Sequence, residues 1–242
     1  MSRPGSVRVF SIVLLFATGL VGSALAASEE KTAELLTKLI QTGRKIVSDN
    51  QDLINDASKG DKGFTPDVFL DKVVTNYLTA TGIDLRKPSG DDSKLLRALL
   101  EAERETVAEA QPVINREGMG FKGFIPAVFV RKVAERFTAK TDVTIKFTAM
   151  EYRNARNAPD DFEKRVFAQF TSPTYSKGKP YQEVAQVDGK KVLRIMFPEY
   201  AAKSCLSCHG APRGEKDITG GRKEGQKEGD LAGALSLTVP LK

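Results

Sequence analysis

The stretch GDKGFTPDVF at Gly60–Phe69 returns as GFKGFIPAVF at Gly120–Phe129. At this offset of 60, Gly60, Lys62, Gly63, Phe64, Pro66, Val68, Phe69, Lys72 and Val73 meet an identical residue each. Upstream, Leu35, Leu36 and Leu39 meet Leu95, Leu96 and Leu99 at the same offset. So many ungapped identities at one spacing mark an internal duplication, with copies from Glu29 to Arg86 and from Gly90 to Lys146. In the first copy Leu35, Leu36, Leu39, Ile40, Ile46, Val47, Leu53 and Ile54 recur at helical spacing. A glycine-containing turn follows, and Pro66 suits the first turn of a second helix bearing Val68, Phe69, Val73, Val74, Tyr77 and Leu78. The second copy repeats this with Leu95, Leu96, Leu99, Val107 and Val113, then Val128, Phe129, Val133 and Phe137. Two copies are too few for a solenoid, so the expectation is a duplicated helical hairpin, one copy packing on the other or on a partner chain.

Beyond Lys140 the pattern changes. Val143–Phe147 alternates as a strand does, Val184–Val187 and Val192–Phe197 read as a hairpin around Asp188-Gly189, and Ala234–Val239 reads as a closing strand. Phe162, Val166, Phe167 and Phe170 mark a short helix opening near Pro159-Asp160. Arg213–Asp230, rich in Gly, Lys and Glu, reads as a solvated loop. The expected fold class is therefore α+β, an antiparallel sheet preceded by the duplicated hairpins.

Both cysteines lie in Cys205-Leu206-Ser207-Cys208-His209. A C-x-x-C-H run spaces two thiols to meet the two vinyl groups of a haem and places an imidazole to ligate its iron. Rival chemistries are less well served. A redox dithiol belongs at a helix start in a thioredoxin-like βαβ unit, which the flanks do not resemble. Zinc needs about four ligands, and His209 is the sole histidine of the 242 residues. A disulfide between residues this close is strained and closes a short loop.

The amino terminus agrees with this reading, since haem c is attached outside the bacterial cytoplasm. Arg3 and Arg8 precede an apolar run from Val9 to Val21, and Ala24-Leu25-Ala26 offers a signal-peptidase site. The run is short for a spanning helix. Residues 1–26 are thus expected to be a cleaved signal, giving a periplasmic chain that does not span the membrane. Its loss removes two arginines and leaves 35 basic against 31 acidic residues. That mild excess, without a basic stripe and interleaved aromatics, excludes a nucleic-acid signature.

Arg153-Asn154-Ala155-Arg156-Asn157-Ala158-Pro159-Asp160 with Phe162-Glu163 resembles the R-N-P-x-N-x-P-D-x-[FW]-E signature of a bacterial family of haem-c PAS-like domains. Cys205-Leu206-Ser207-Cys208-His209-Gly210 resembles that family's C-L-x-C-H-G, Gly229–Ala234 its last strand, and Lys122-Gly123-Phe124 with Pro126 and Phe129 its preceding helix. The resemblance covers residues 93–242 and departs at Ala155, where the family has Pro. It implies a division into 27–88, an extra helical repeat, and 89–242, a haem-c PAS-like domain. It also implies redox or small-ligand sensing, with a diatomic gas as one ligand class and a membrane signalling protein as partner. The Arg-Asn segment has two readings. Asn157 or Asp160 can cap the helix that Pro159 opens, or Arg153 and Arg156 can pair with haem propionates.

Cys205 and Cys208 are the expected attachment points of one haem c, and His209 the proximal ligand. Members of the resembled family can use a distal Cys, and this chain has none to spare. Met119, Met150 and Met196 are the remaining soft ligands beyond the signal. Met119 is the candidate, because it stands in the second turn where the first copy has Lys59. A His/Met iron suits electron transfer to a redox partner, whereas an open iron suits sensing. Peroxidase-type catalysis needs a distal acid–base residue, and the missing second histidine argues against an enzyme.

Overall fold

The structure is a computed structural model that describes residues 19–241, with side chains from Ala27 onward. The basic start and most of the apolar run expected as an export signal lie outside the described residues. Helix α1 (Gly19–Asp49) passes through the expected cleavage point and is prolonged, after a break at Asn50, by the single turn α2 (Gln51–Ile54). Helix α3 (Pro66–Thr81) follows, with Pro66 opening it and the Thr65 hydroxyl accepting from Val68 N at 3.2 Å. Helices α4 (Ser93–Ile114) and α5 (Pro126–Lys140) repeat the pair at the expected offset.

The copies pack on each other with reciprocal contacts. Gln51 Nε2 donates to Phe124 O at 3.0 Å, and its counterpart Gln111 donates to Phe64 O at 3.0 Å. Asn55 Oδ1 accepts from Lys122 N at 2.9 Å, and Asn115 Oδ1 accepts from Lys62 N at 3.1 Å. Residue i touching j while the copy of j touches the copy of i is the signature of an approximate twofold axis. Phe69 and Phe129 meet near it edge to face, 5.5 Å between centroids, flanked by Phe64 and Phe124. The twofold breaks where Gly43 stands opposite its own counterpart, Glu103. A Cβ on Gly43 would come within 2.7 Å of the Glu103 carboxylate oxygens.

Strands β1 (Thr144–Thr148), β2 (Tyr181–Val187), β3 (Lys190–Tyr200) and β4 (Leu231–Pro240) form an antiparallel sheet of order β1-β4-β3-β2. Helix α6 (Asp161–Phe170) lies between β1 and β2 in the chain. Alternation along the strands gives the sheet two apolar faces. Ile145, Leu193, Ile195, Leu235, Leu237 and Val239 join the core of the helical bundle. Met196 and Ala234 point the other way and pack with Phe162, Val166 and Phe167 of α6. The sheet is thus the middle layer of three.

Helix α1 touches α3, α4 and α5 and also β3 and β4. A single continuous core therefore includes both copies and one face of the sheet. Among the described residues, no helix is long and apolar enough to cross a membrane.

Candidate functional site

The Cys–His turn hangs between two supports. A 3-10 turn at Lys203–Cys205 leads into α7 (Leu206–His209), a single helical turn. Its base is held by the first copy. Gln41, Arg44 and Ser48 share one face of α1. Gln41 Nε2 and Arg44 Nη2 donate to the buried Glu199 carboxylate at 2.6 and 2.5 Å, and Ser48 Oγ lies 3.2 Å from Ser204 Oγ. Gly210 closes the turn, its N–H donating to Leu206 O at 2.9 Å, and a Cβ there would meet that oxygen at 2.5 Å. The glycine after the histidine is thus required by close packing.

Cys205 and Cys208 are free thiols, both half-buried. His209 Nδ1 lies 2.7 Å from Glu224 Oε2 and its side chain is 38% exposed. Glu224 is a carboxylate, so Nδ1–H donates to it, and Nε2 is the ring nitrogen left to ligate a metal.

Arg153 organises the far side of this contact. Its Nε and Nη2 donate to the two Glu224 oxygens at 2.7 and 3.0 Å, and Nη2 also reaches Cys208 O at 2.8 Å. Nη1 donates to Asp217 Oδ2 at 2.6 Å. Gly221 lets the guanidinium in, since a Cβ there would come within 2.6 Å of Nη1. Burial raises the Glu224 carboxyl, but hydrogen bonds from Arg153 and His209 outweigh it and hold it below the ordinary range. Burial likewise raises Asp217, and bonds from Thr219 and Arg153 bring it down to about 2. The hydrogen bond to Glu224, ahead of that to Asp217, raises Arg153 above its usual value. All three groups are therefore ionised at neutral pH.

The capping expected of the Arg-Asn segment falls to Asp160. Asp160 caps α6, its carboxylate accepting from Glu163 N at 2.8 Å while Glu163 accepts from Asp160 N at 3.0 Å. Asn157 ends a 3-10 turn instead. The donors of Arg153 are spent on protein acceptors, and Arg156 pairs with Glu135 on the surface. Arg213–Asp230 is more than a solvated loop. Within it Lys216 and Arg222 bridge across a small hairpin, and it delivers Asp217 and Glu224 to Arg153. Sequence reading missed both acids, because the contacts span 64 and 71 residues and a Gly-, Lys- and Glu-rich composition looks like solvent-facing loop. Arg153 was the one available signal.

Met119 lies apart from these contacts, in the turn between α4 and α5, where its carbonyl and that of Arg116 accept from Lys122 Nζ. Met150 is 57% exposed and, with Phe167, Glu224, Gln226 and Leu231, lines a cleft of about 320 Å³. Met196 is fully buried behind the sheet.

The sequence profile of the Tll0287-like family matches residues 23–240. The chain belongs to the Tll0287-like family. The match takes in the first helical copy, which the motif resemblance left outside. No curated protein matches the chain. Among solved structures, it is similar to the crystal structure of the cyanobacterial heme-protein Tll0287. The identity is 20%, over 64% of this chain and 98% of that one, with a TM-score of 0.43.

The donor set of this Tll0287-like chain fits a covalently held haem. Two unpaired thiols and one imidazole lie within a single turn, and the imidazole's other nitrogen is already committed. Among the described residues, no group of three or more His, Cys, Asp and Glu side chains could hold a metal ion unaided. A porphyrin brings its own four nitrogens, so one free Nε2 suffices.

Proposed function

We propose that the chain is a periplasmic mono-haem c protein whose iron senses redox state or binds a small ligand. Cys205 and Cys208 would form the thioether links and His209 Nε2 would ligate the iron. The observation that carries this reading is the hydrogen bond between His209 Nδ1 and Glu224, which leaves Nε2 as the nitrogen available to a metal in the same turn as two free thiols. Membership of the Tll0287-like family supports it. When bound, the haem would supply a one-electron couple and an iron able to take a small ligand. The chain's own residues attach it, orient the imidazole and buttress the turn from α1.

The proposed role is binding and signalling rather than catalysis, with a PAS-like sheet and a membrane signalling protein as partner. The second reading is a mono-haem electron carrier with a redox partner. It follows if Met119 closes the iron's other face. Carbon monoxide added to the reduced holoprotein separates the two. A displaced Soret band marks an open or exchangeable position, and an unchanged band contradicts gas sensing. Met119→Ala opens the position if Met119 is the ligand and leaves the spectrum as it was if it is not.

A further inference from the structure

Metal-bound histidines commonly donate their second N–H to a neutral carbonyl or a carboxylate, and the choice tunes the ligand. Here the acceptor is a carboxylate, Glu224, at 2.7 Å. Its strength depends on how much of its charge Arg153 cancels. Arg153 divides its donors between two acids, with Nη1 on Asp217 at 2.6 Å and Nε on Glu224 at 2.7 Å. One positive charge thus faces two negative ones, and the group as a whole is left with an excess negative charge against the imidazole. The Asp217 side chain is fully buried and that of Glu224 is 10% exposed, so water screens this charge weakly.

We propose that Glu224 is a positioning and tuning residue that makes His209 a strongly donating ligand and lowers the haem reduction potential, with Asp217 setting the strength of the effect through Arg153. The inference rests on the proposed haem attachment and deepens it. A partial negative charge developed on the imidazole favours ferric over ferrous iron, because the oxidised centre carries one more positive charge. Glu224→Gln keeps the shape and an acceptor oxygen but removes the charge. Asp217→Asn leaves Glu224 in place and lets Arg153 cancel more of its charge, so it acts in the same direction more weakly.

The test is a spectroelectrochemical titration of the holoprotein, with resonance Raman of the ferrous form to read the iron–histidine stretch. At the wild-type midpoint, Glu224→Gln is expected to shift the ferrous-to-ferric ratio about tenfold toward ferrous, a rise of about 59 mV. The iron–histidine stretch should fall with it. Asp217→Asn should give a smaller rise of the same sign, and it decides the matter if Glu224→Gln does not retain haem. An unshifted midpoint, or a shifted midpoint with an unmoved stretch, overturns the proposal. A wild-type chain without a Soret band overturns the haem reading itself, and that failure is visible before any variant is made.

Discussion

Glu103 is a carboxyl group with nothing to hold. It is wholly buried in α4, and neither of its side-chain oxygens has a hydrogen-bond partner. It fits only because its counterpart in the other copy is Gly43. Burial disfavours the charged form and pushes its pKa well above 4.5. In the unfolded chain the same carboxyl ionises near its ordinary value. Above that value the folded state holds a proton that the unfolded state has lost, so stability falls as pH rises. The slope is about 1.4 kcal/mol per pH unit for as long as the folded carboxyl stays protonated. From about pH 5 upward the loss accumulates at this rate until the folded carboxyl itself ionises. Glu103→Met matches the volume and removes the proton, so it should be more stable than wild type by an amount that grows over this window. Urea unfolding of both proteins at several pH values reads the difference directly, and other titrating groups cancel between them. Parallel stability curves would refute the reasoning.

Three further outcomes follow from the same contacts. Gly43→Ala should cost about 1–3 kcal/mol by overpacking against Glu103, and much less in a Glu103→Ala background, as a double-mutant cycle would show. Asn55→Ala and Asn115→Ala remove equivalent hydrogen bonds, so urea unfolding should give matched losses of about 1 kcal/mol each. Arg153→Ala strands Asp217 and Glu224, and amide exchange should quicken across Gly214–Glu224 relative to the bundle. Asp217 contributes stability that is present above 3.8 and is lost as pH falls toward about 2, so the acid limb of the stability curve should flatten in this variant.

The elements were largely legible because their cues are local. Pro66 and Pro126 open α3 and α5 as expected, and Asp188-Gly189 joins β2 to β3. Asp160 and Glu163, three residues apart, cap α6. Strand ends were less visible, since β3 runs on to Tyr200 and β4 begins at Leu231, where polar residues and glycine interrupt the alternation. The break at Asn50 was hidden by an apolar stripe that continues through Leu53 and Ile54. What no local pattern carries is reciprocity. The exchange of Gln51 and Gln111 between the copies joins residues 73 and 47 positions apart. The Cys–His turn could be read from five residues. Its setting could not, because Arg153 and the α1 face of Gln41, Arg44 and Ser48 reach it from distant parts of the chain, and Glu224 and Asp217 from a segment whose composition reads as solvated loop.

The central claim is tested most directly by the intact mass of the full chain expressed with export and haem-c attachment machinery and analysed after denaturation. The expected mass is that of the polypeptide from Ala27 plus one haem, and the haem should be lost when Cys205 and Cys208 are both changed to Ser. A mass equal to the bare polypeptide, with both thiols free to alkylate, would contradict the account.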